Sequence, residues 1–155
     1  MGGASPAQIR RLAMNFLARR EHGYAELVGK LVGRGVNAEI ADNIVKKLSQ
    51  EGLQDDARFA EGYLRAQVSR GKGPLYIRHG LRQRGIASAE AEQAVKRAHL
   101  DWVALATEVA CKKFPSGPAS MAERASRQRF LLQRGFDPEQ CRLALKRLES
   151  GAHTE

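Results

Sequence analysis

The sequence predicts an all-α protein made of three tandem three-helix, helix-turn-helix-like repeats, strung into an elongated, curved single chain. Three observations carry that reading. Arg34-Gly35-Val36, Arg84-Gly85-Ile86 and Arg134-Gly135-Phe136 recur with a period of 50 residues; a fixed period with little other identity is the signature of a repeat architecture. Twelve residues after each arginine stands a basic pair, Lys46-Lys47, Lys96-Arg97 and Lys146-Arg147, each preceded by an apolar residue (Val45, Val95, Leu145). Ala, Leu, Arg, Gln and Glu dominate the composition and β-branched runs are absent, which favours helix over strand. The repeats are expected at 5–52, 53–100 and 101–150, with 151–155 a frayed tail. A unit of about fifty residues is marginal alone, so neighbours are expected to share their cores.

Each repeat yields three helices in order. Ser5-Pro6-Ala7-Gln8 is a helix start, with a Ser cap, Pro in the first turn and Gln reaching back. Ile9, Leu12, Ala13, Phe16 and Leu17 follow at helical spacing, and Glu21-His22-Gly23 ends the run. A second helix carries Leu27, Val28, Leu31 and Val32 and stops at Gly35. Asn37 caps a third, which aligns Ile40, Ile44, Val45 and Leu48 and ends at Gly52.

The second repeat copies the plan. Asp55 or Asp56 caps a helix bearing Phe59, Ala60, Tyr63, Leu64 and Val68. Gly71-Lys72-Gly73-Pro74 is a break followed by a Pro-started helix with Leu75, Ile77 and Leu81, which Gly85 ends. Ser88-Ala89-Glu90 opens the next, expected to run to about Leu100. In the third repeat Asp101 precedes a helix with Trp102, Leu105, Ala106 and Val109 that ends at Phe114-Pro115. Ser120 with Glu123 is a capping box, and Asp137-Pro138 starts the last helix. Gly35, Gly85 and Gly135 fall just past helix ends, where a left-handed residue is needed and the next apolar side chain folds back.

Charge bounds the function. The 155 residues carry a formal net charge of +9. Cations outnumber acids eight to four in 1–50, nine to six in 51–100 and nine to seven in 101–155, so the excess belongs to the whole chain and not to a tail. Such a balance points to a polyanionic or acidic partner. No apolar run reaches membrane-span length and the N-terminus lacks a signal peptide's apolar stretch, so a cytoplasmic protein with no membrane partner is expected. Cys111 and Cys141 lie inside expected helices and are read as reduced, buried, inert thiols.

Nothing in the chain points to catalysis. His22, His79, His99 and His153 are scattered, with no cysteine or carboxylate at metal-ligand spacing, so no metal or cofactor is expected. Gly71-Lys72-Gly73 is too short for a phosphate loop and precedes Pro. The basic residues are sharper. Residues 62–89 hold six cations (Arg65, Arg70, Lys72, Arg78, Arg82, Arg84) and no acid. Residues 124–136 hold Arg124, Arg127, Arg129 and Arg134, again without an acid, and the first repeat offers Lys30 and Arg34. Arg78 and Arg82 are one helical turn apart; like charges at that spacing repel, which is easier to explain with a negative partner opposite. The competing reading is a solvated face. Glu39, Asp42, Glu90, Glu92 and Glu139 near the starts of the third helices would repel phosphates there, which argues against base reading by a recognition helix.

Asp55-Asp56-Ala57-Arg58-Phe59-Ala60 with Tyr63, then Arg70-Gly71-Lys72-Gly73-Pro74, Ile77-Arg78, Leu81 and Gly85-Ile86, resembles the signature of the RecX family. Phe130-Leu131-Leu132-Gln133-Arg134-Gly135-Phe136 resembles its third-repeat motif, and the resemblance extends over about residues 8 to 149. It implies a non-enzymatic regulator of the RecA recombinase that binds the RecA–DNA filament. Inhibition of filament extension, ATPase, strand exchange and coprotease activity would follow, modulating the SOS response and DNA repair. Implied partners are the RecA filament and single- and double-stranded DNA, bound through the backbone, by a monomer. The expected contact residues are Arg70, Lys72, Arg78, Arg82 and Arg84, with Arg127, Arg129, Arg134, Lys30 and Arg34; whether they meet RecA or DNA is open. Asp56, Arg58, Phe59, Tyr63, Gly73, Pro74, Gly35, Gly85 and Gly135 are expected to be structural. The alternative is a nonspecific basic DNA-binding module that acts without RecA.

Overall fold

The structure is a computed structural model in which residues 3–151 are described. The described residues form nine α-helices and no strand. The first repeat holds α1 (Pro6–Arg19), α2 (Tyr24–Gly33) and α3 (Ala38–Gln50). The second holds α4 (Asp56–Ser69), α5 (Pro74–Gln83) and α6 (Ser88–Arg97), and the third α7 (Trp102–Lys113), α8 (Met121–Gln133) and α9 (Pro138–Ser150). The expected frayed tail, 151–155, lies outside the described residues apart from Gly151.

The starts follow from side chains that satisfy the first free N–H groups. Ser5 with Gln8, Ser120 with Glu123 and Asp137 with Gln140 form reciprocal capping boxes. Asn37 accepts from Glu39 and Ile40, and Asp101 from Ala104. Of the two candidates at α4, Asp55 is the cap: its Oδ1 accepts from Ala57 and Arg58. Asp56 instead accepts from the Tyr24 amide at 2.7 Å and from Gln54 at 3.0 Å, tying the α4 start to the loop before α2.

The ends of the second helices are alike. Val36, Ile86 and Phe136 donate their amides to Leu31, Leu81 and Leu131, at 3.1, 3.0 and 3.2 Å. Gly35, Gly85 and Gly135 donate to Val32, Arg82 and Leu132. That paired pattern is a Schellman turn, which carries a left-handed residue at the glycine. The apolar residue then folds under the helix: Ile86 and Phe136 are buried.

Two sequence expectations change. α6 stops at Arg97, short of Leu100, because His99 turns left-handed (φ 49°) and donates to Lys96. Cys111 is exposed, not buried. It lies one residue past Ala110, off the stripe of Ala106 and Ala110 that α7 turns inward. Cys141 is buried as expected, and burial pushes its thiol up to about 11.

The first repeat's core is Ile9, Ala13, Leu27, Leu31, Ala41, Val45 and Leu48. The third's is Ala106, Ala110, Leu131, Phe136, Cys141, Ala144, Leu145 and Leu148, with Trp102 packed against it. By contacts the chain divides into two compact units: Met1–Tyr63 with Leu81–Ala94, and Leu64–Gly80 with Val95–Glu155. The boundary runs through α4, α5 and α6, so the middle repeat contributes to both units.

Candidate nucleic-acid interface

The arginine of each repeated turn has a local task. Arg34 lies over the Phe16 ring at 5.1 Å, Arg84 over Tyr63 at 4.8 Å and Arg134 over Phe130 at 5.1 Å. A guanidinium over an aromatic face is held by the ring quadrupole, for about 0.5–1 kcal/mol where solvent reaches it. These three expected contact residues are therefore positioned cations.

In the first unit, Lys30 is half-buried. Its ammonium donates to His22 Nε2 at 3.0 Å and stands 5.1 Å from the Phe16 ring. His22 is buried, and its Nδ1 is 3.0 Å from the Arg20 carbonyl. A carbonyl only accepts, so Nδ1 carries the proton and Nε2 is free to accept from Lys30. Desolvation holds the imidazole below its ordinary pKa, with the Arg20 and Lys30 charges adding to it against the Arg20 hydrogen bond and Glu26. Lys30 is thus a supporting residue as well as a surface charge. Arg82 and Arg84 are exposed.

Around the same loop sit the residues expected to be structural. Phe59 is buried and approaches Gly23, and Gln54, also buried, donates to the His22 carbonyl at 3.1 Å. Arg58 bonds Glu21 at 2.9 Å and the Gly52 carbonyl at 3.0 Å. Tyr24 donates its hydroxyl to Asp42 at 2.7 Å, and burial with that neighbouring carboxylate pushes it up to about 12.

In the second unit, α4 ends in a turn like the others: Gly71 donates to Val68 and Lys72 to Gln67. The chain then passes Gly73, whose amide donates to the Arg134 carbonyl at 2.8 Å; Leu75 donates to the Gly135 carbonyl at 2.9 Å. This backbone junction leaves no room for side chains. A Cβ on Gly73 would lie 2.5 Å from the Gly135 carbonyl, and one on Gly135, at φ 100°, would collide with Tyr76. Pro74 needs no donor there and starts α5.

That junction brings Arg134 to the end of α4, where its Nη1 donates to the Arg70 carbonyl at 3.1 Å. Arg70 and Arg134 line an open cleft of about 270 Å³ with Lys112, Lys113, Val109 and Phe130. Phe130 also carries Lys113 at 5.3 Å and meets Phe114 edge-on, with centroids 5.4 Å apart. Sequence reasoning passed over Lys112 and Lys113. They form a visible basic pair, but they stand outside both acid-free runs and one turn after Glu108.

The remaining expected contacts scatter. Lys72 is half-buried, 4.6 Å from the Tyr76 ring. Arg78 is half-buried and Arg129 exposed. Arg127 is 7% exposed, packs on Phe114 at 5.1 Å and leaves its Nη1 buried without a hydrogen bond. It is not a surface contact, because α8 turns that position toward Phe114. Among the described residues no three His, Cys, Asp or Glu side chains group to hold a metal, and no helix is long and apolar enough to cross a membrane. His153 lies outside the described residues.

The first, second and third three-helix domains of RecX match residues 10–48, 55–95 and 101–145. The chain is 40% identical over 143 residues to a regulatory protein RecX of Halorhodospira halophila, covering 92% of this chain and 89% of that one. It is 42% identical over 133 residues to a regulatory protein RecX of Pseudomonas putida, covering 85% of each. A crystal structure of RecX from Lactobacillus salivarius shares the fold, with a TM-score of 0.81, 22% identity and coverage of 94% of this chain and 97% of that one. The sequence signature, the three repeated helix triplets and these matches agree: the chain belongs to the RecX family.

Proposed function

We propose that this protein is a non-enzymatic regulator of the RecA recombinase, acting in the cytoplasm on the RecA–DNA filament. It binds the filament as a monomer and restrains extension, and with it ATPase, strand exchange and coprotease activity. The observation that carries the reading is similarity of about 40% over most of the chain to proteins named regulatory protein RecX. Distributed positive charge supports it, since a nucleoprotein filament offers phosphates and acidic protein surface. The acids at the third-helix starts argue that any DNA contact is to the backbone.

The test is RecA's single-stranded-DNA-dependent ATP hydrolysis, titrated with this protein while free DNA is measured in the same salt. Inhibition by far fewer copies than RecA, with the DNA mostly unoccupied, supports direct restraint of the filament. Inhibition only at DNA saturation supports a basic module that competes for DNA. Arg82→Glu with Arg129→Glu, at two exposed positions, should weaken inhibition several-fold at an unchanged melting temperature; inhibition equal to wild type would remove the basic surface from the mechanism. Arg78 is a poorer probe, because it is half-buried.

A further inference from the structure

We infer that the cleft at the ends of α4 and α7, beside α8, binds DNA backbone phosphates through Arg70, Lys112, Lys113 and Arg134. The inference deepens the filament reading by assigning one site to DNA.

The first support is uncompensated charge. Four cations share a cleft of about 270 Å³ whose lining, among the described residues, holds no carboxylate. Elsewhere in this repeat two arginines are paired with carboxylates: Arg124 bonds Glu149 at 2.8 Å and Arg142 bonds Glu139 at 2.6 Å. Crowded like charges repel, and an anion in the cleft relieves that repulsion.

The second support is what helix ends leave unexplained. Cations favour helix C-termini, and α7 ends at Lys113. That accounts for a lysine there. It does not account for four cations, since the α4 end already has Arg134 on the Arg70 carbonyl. Nor does it account for the missing acid.

The third support is the ring. Lys113 and Arg134 stand 5.3 and 5.1 Å from the Phe130 centroid, and Phe114 abuts it edge-on. Phe130 is therefore spent on holding two cations in place and is not an open platform for a base. Recognition should be of phosphate and indifferent to sequence. Arginine forks match phosphate oxygens in pairs, and the lysines add mobile point charge.

The experiment uses the full chain and fluorescein-labelled oligo-dT and oligo-dC, with anisotropy read from about 50 to about 200 mM salt. Each single-strand phosphate contact contributes about 0.7 to the slope of log affinity against log salt. Lys112→Gln with Lys113→Gln should lower that slope by about 1.4, equally for both oligomers, so that wild type loses about sevenfold more affinity than the variant across the range. The control is Lys46→Gln with Lys47→Gln, an equal loss of charge from an exposed pair on α3. Equal slope changes for both variants would reduce the effect to net charge and overturn the site. An unchanged DNA slope with weakened filament binding would assign the cleft to an acidic protein surface and overturn it equally. Absence of DNA binding by wild type would overturn the site alone, because substoichiometric inhibition of RecA would leave the filament reading standing. Matching far-UV circular dichroism melts keep the comparison free of unfolding.

Discussion

Arg34-Gly35 and Arg134-Gly135 are the same turn in two settings. Both end the second helix of a repeat, both have a left-handed glycine (φ 90° and 100°), and both place the arginine 5.1 Å from a phenylalanine ring. Gly35 is exposed, and a Cβ there would meet nothing within 4 Å. Gly135 is buried, bonded through its carbonyl to Leu75, and a Cβ there would collide with Tyr76. The identical glycine thus answers one demand in the first repeat, the dihedral, and two in the third, the dihedral and the close approach of another backbone.

Alanine at the two glycines should separate these demands most widely. Gly35→Ala should cost about 1–2 kcal/mol, the left-handed penalty alone. Gly135→Ala should cost about 2–5 kcal/mol, because overpacking adds about 1–3. Urea unfolding measures both, and equal costs would mean that the Gly73–Gly135 junction yields freely. The preceding arginines should differ less. Arg34→Met should cost about 0.5–1 kcal/mol, the ring contact. Arg134→Met should cost about 1–2 kcal/mol, since the hydrogen bond to the Arg70 carbonyl goes too.

The first repeat should also carry a pH dependence that the third lacks. Buried His22 has a folded pKa below its unfolded value of about 6.5, so the unfolded chain binds the extra proton first. Its contribution is complete above about pH 6.5 and is lost as pH falls toward the folded value. Melting temperature should drop through that window, and His22→Gln should flatten the drop. A slope that survives the substitution would place the titration elsewhere. The smallest effect is expected at Arg127→Met, which removes a buried N–H lacking a partner along with a ring contact. Stability within about 0.5 kcal/mol of wild type is expected by thermal melt.

Much of the chain is legible because its signals are local. Ser5, Asn37, Ser120 and Asp137 mark helix starts since a cap satisfies amides two or three residues away. Where two carboxylates compete, as at Asp55 and Asp56, local logic stalls, because Asp56 is claimed by Tyr24, 32 residues earlier. The basic surface is less legible still. An acid-free run included Arg127, which α8 turns inward, and excluded Lys112 and Lys113, which the end of α7 delivers to the cleft. Linear charge runs ignore which side of a helix a residue occupies.

By itself the sequence determined the all-helical class, the period of 50, nearly every helix start, the left-handed turns and the family signature. These depend on dihedral preference and on hydrogen bonds a few residues long. Tertiary structure decided the division of the middle repeat between two compact units. It decided which cations serve rings and carbonyls, and which four converge on one cleft. Those outcomes depend on groups far apart in the chain, such as Arg70 and Arg134, which become neighbours only once the backbones at Gly73 and Gly135 have met.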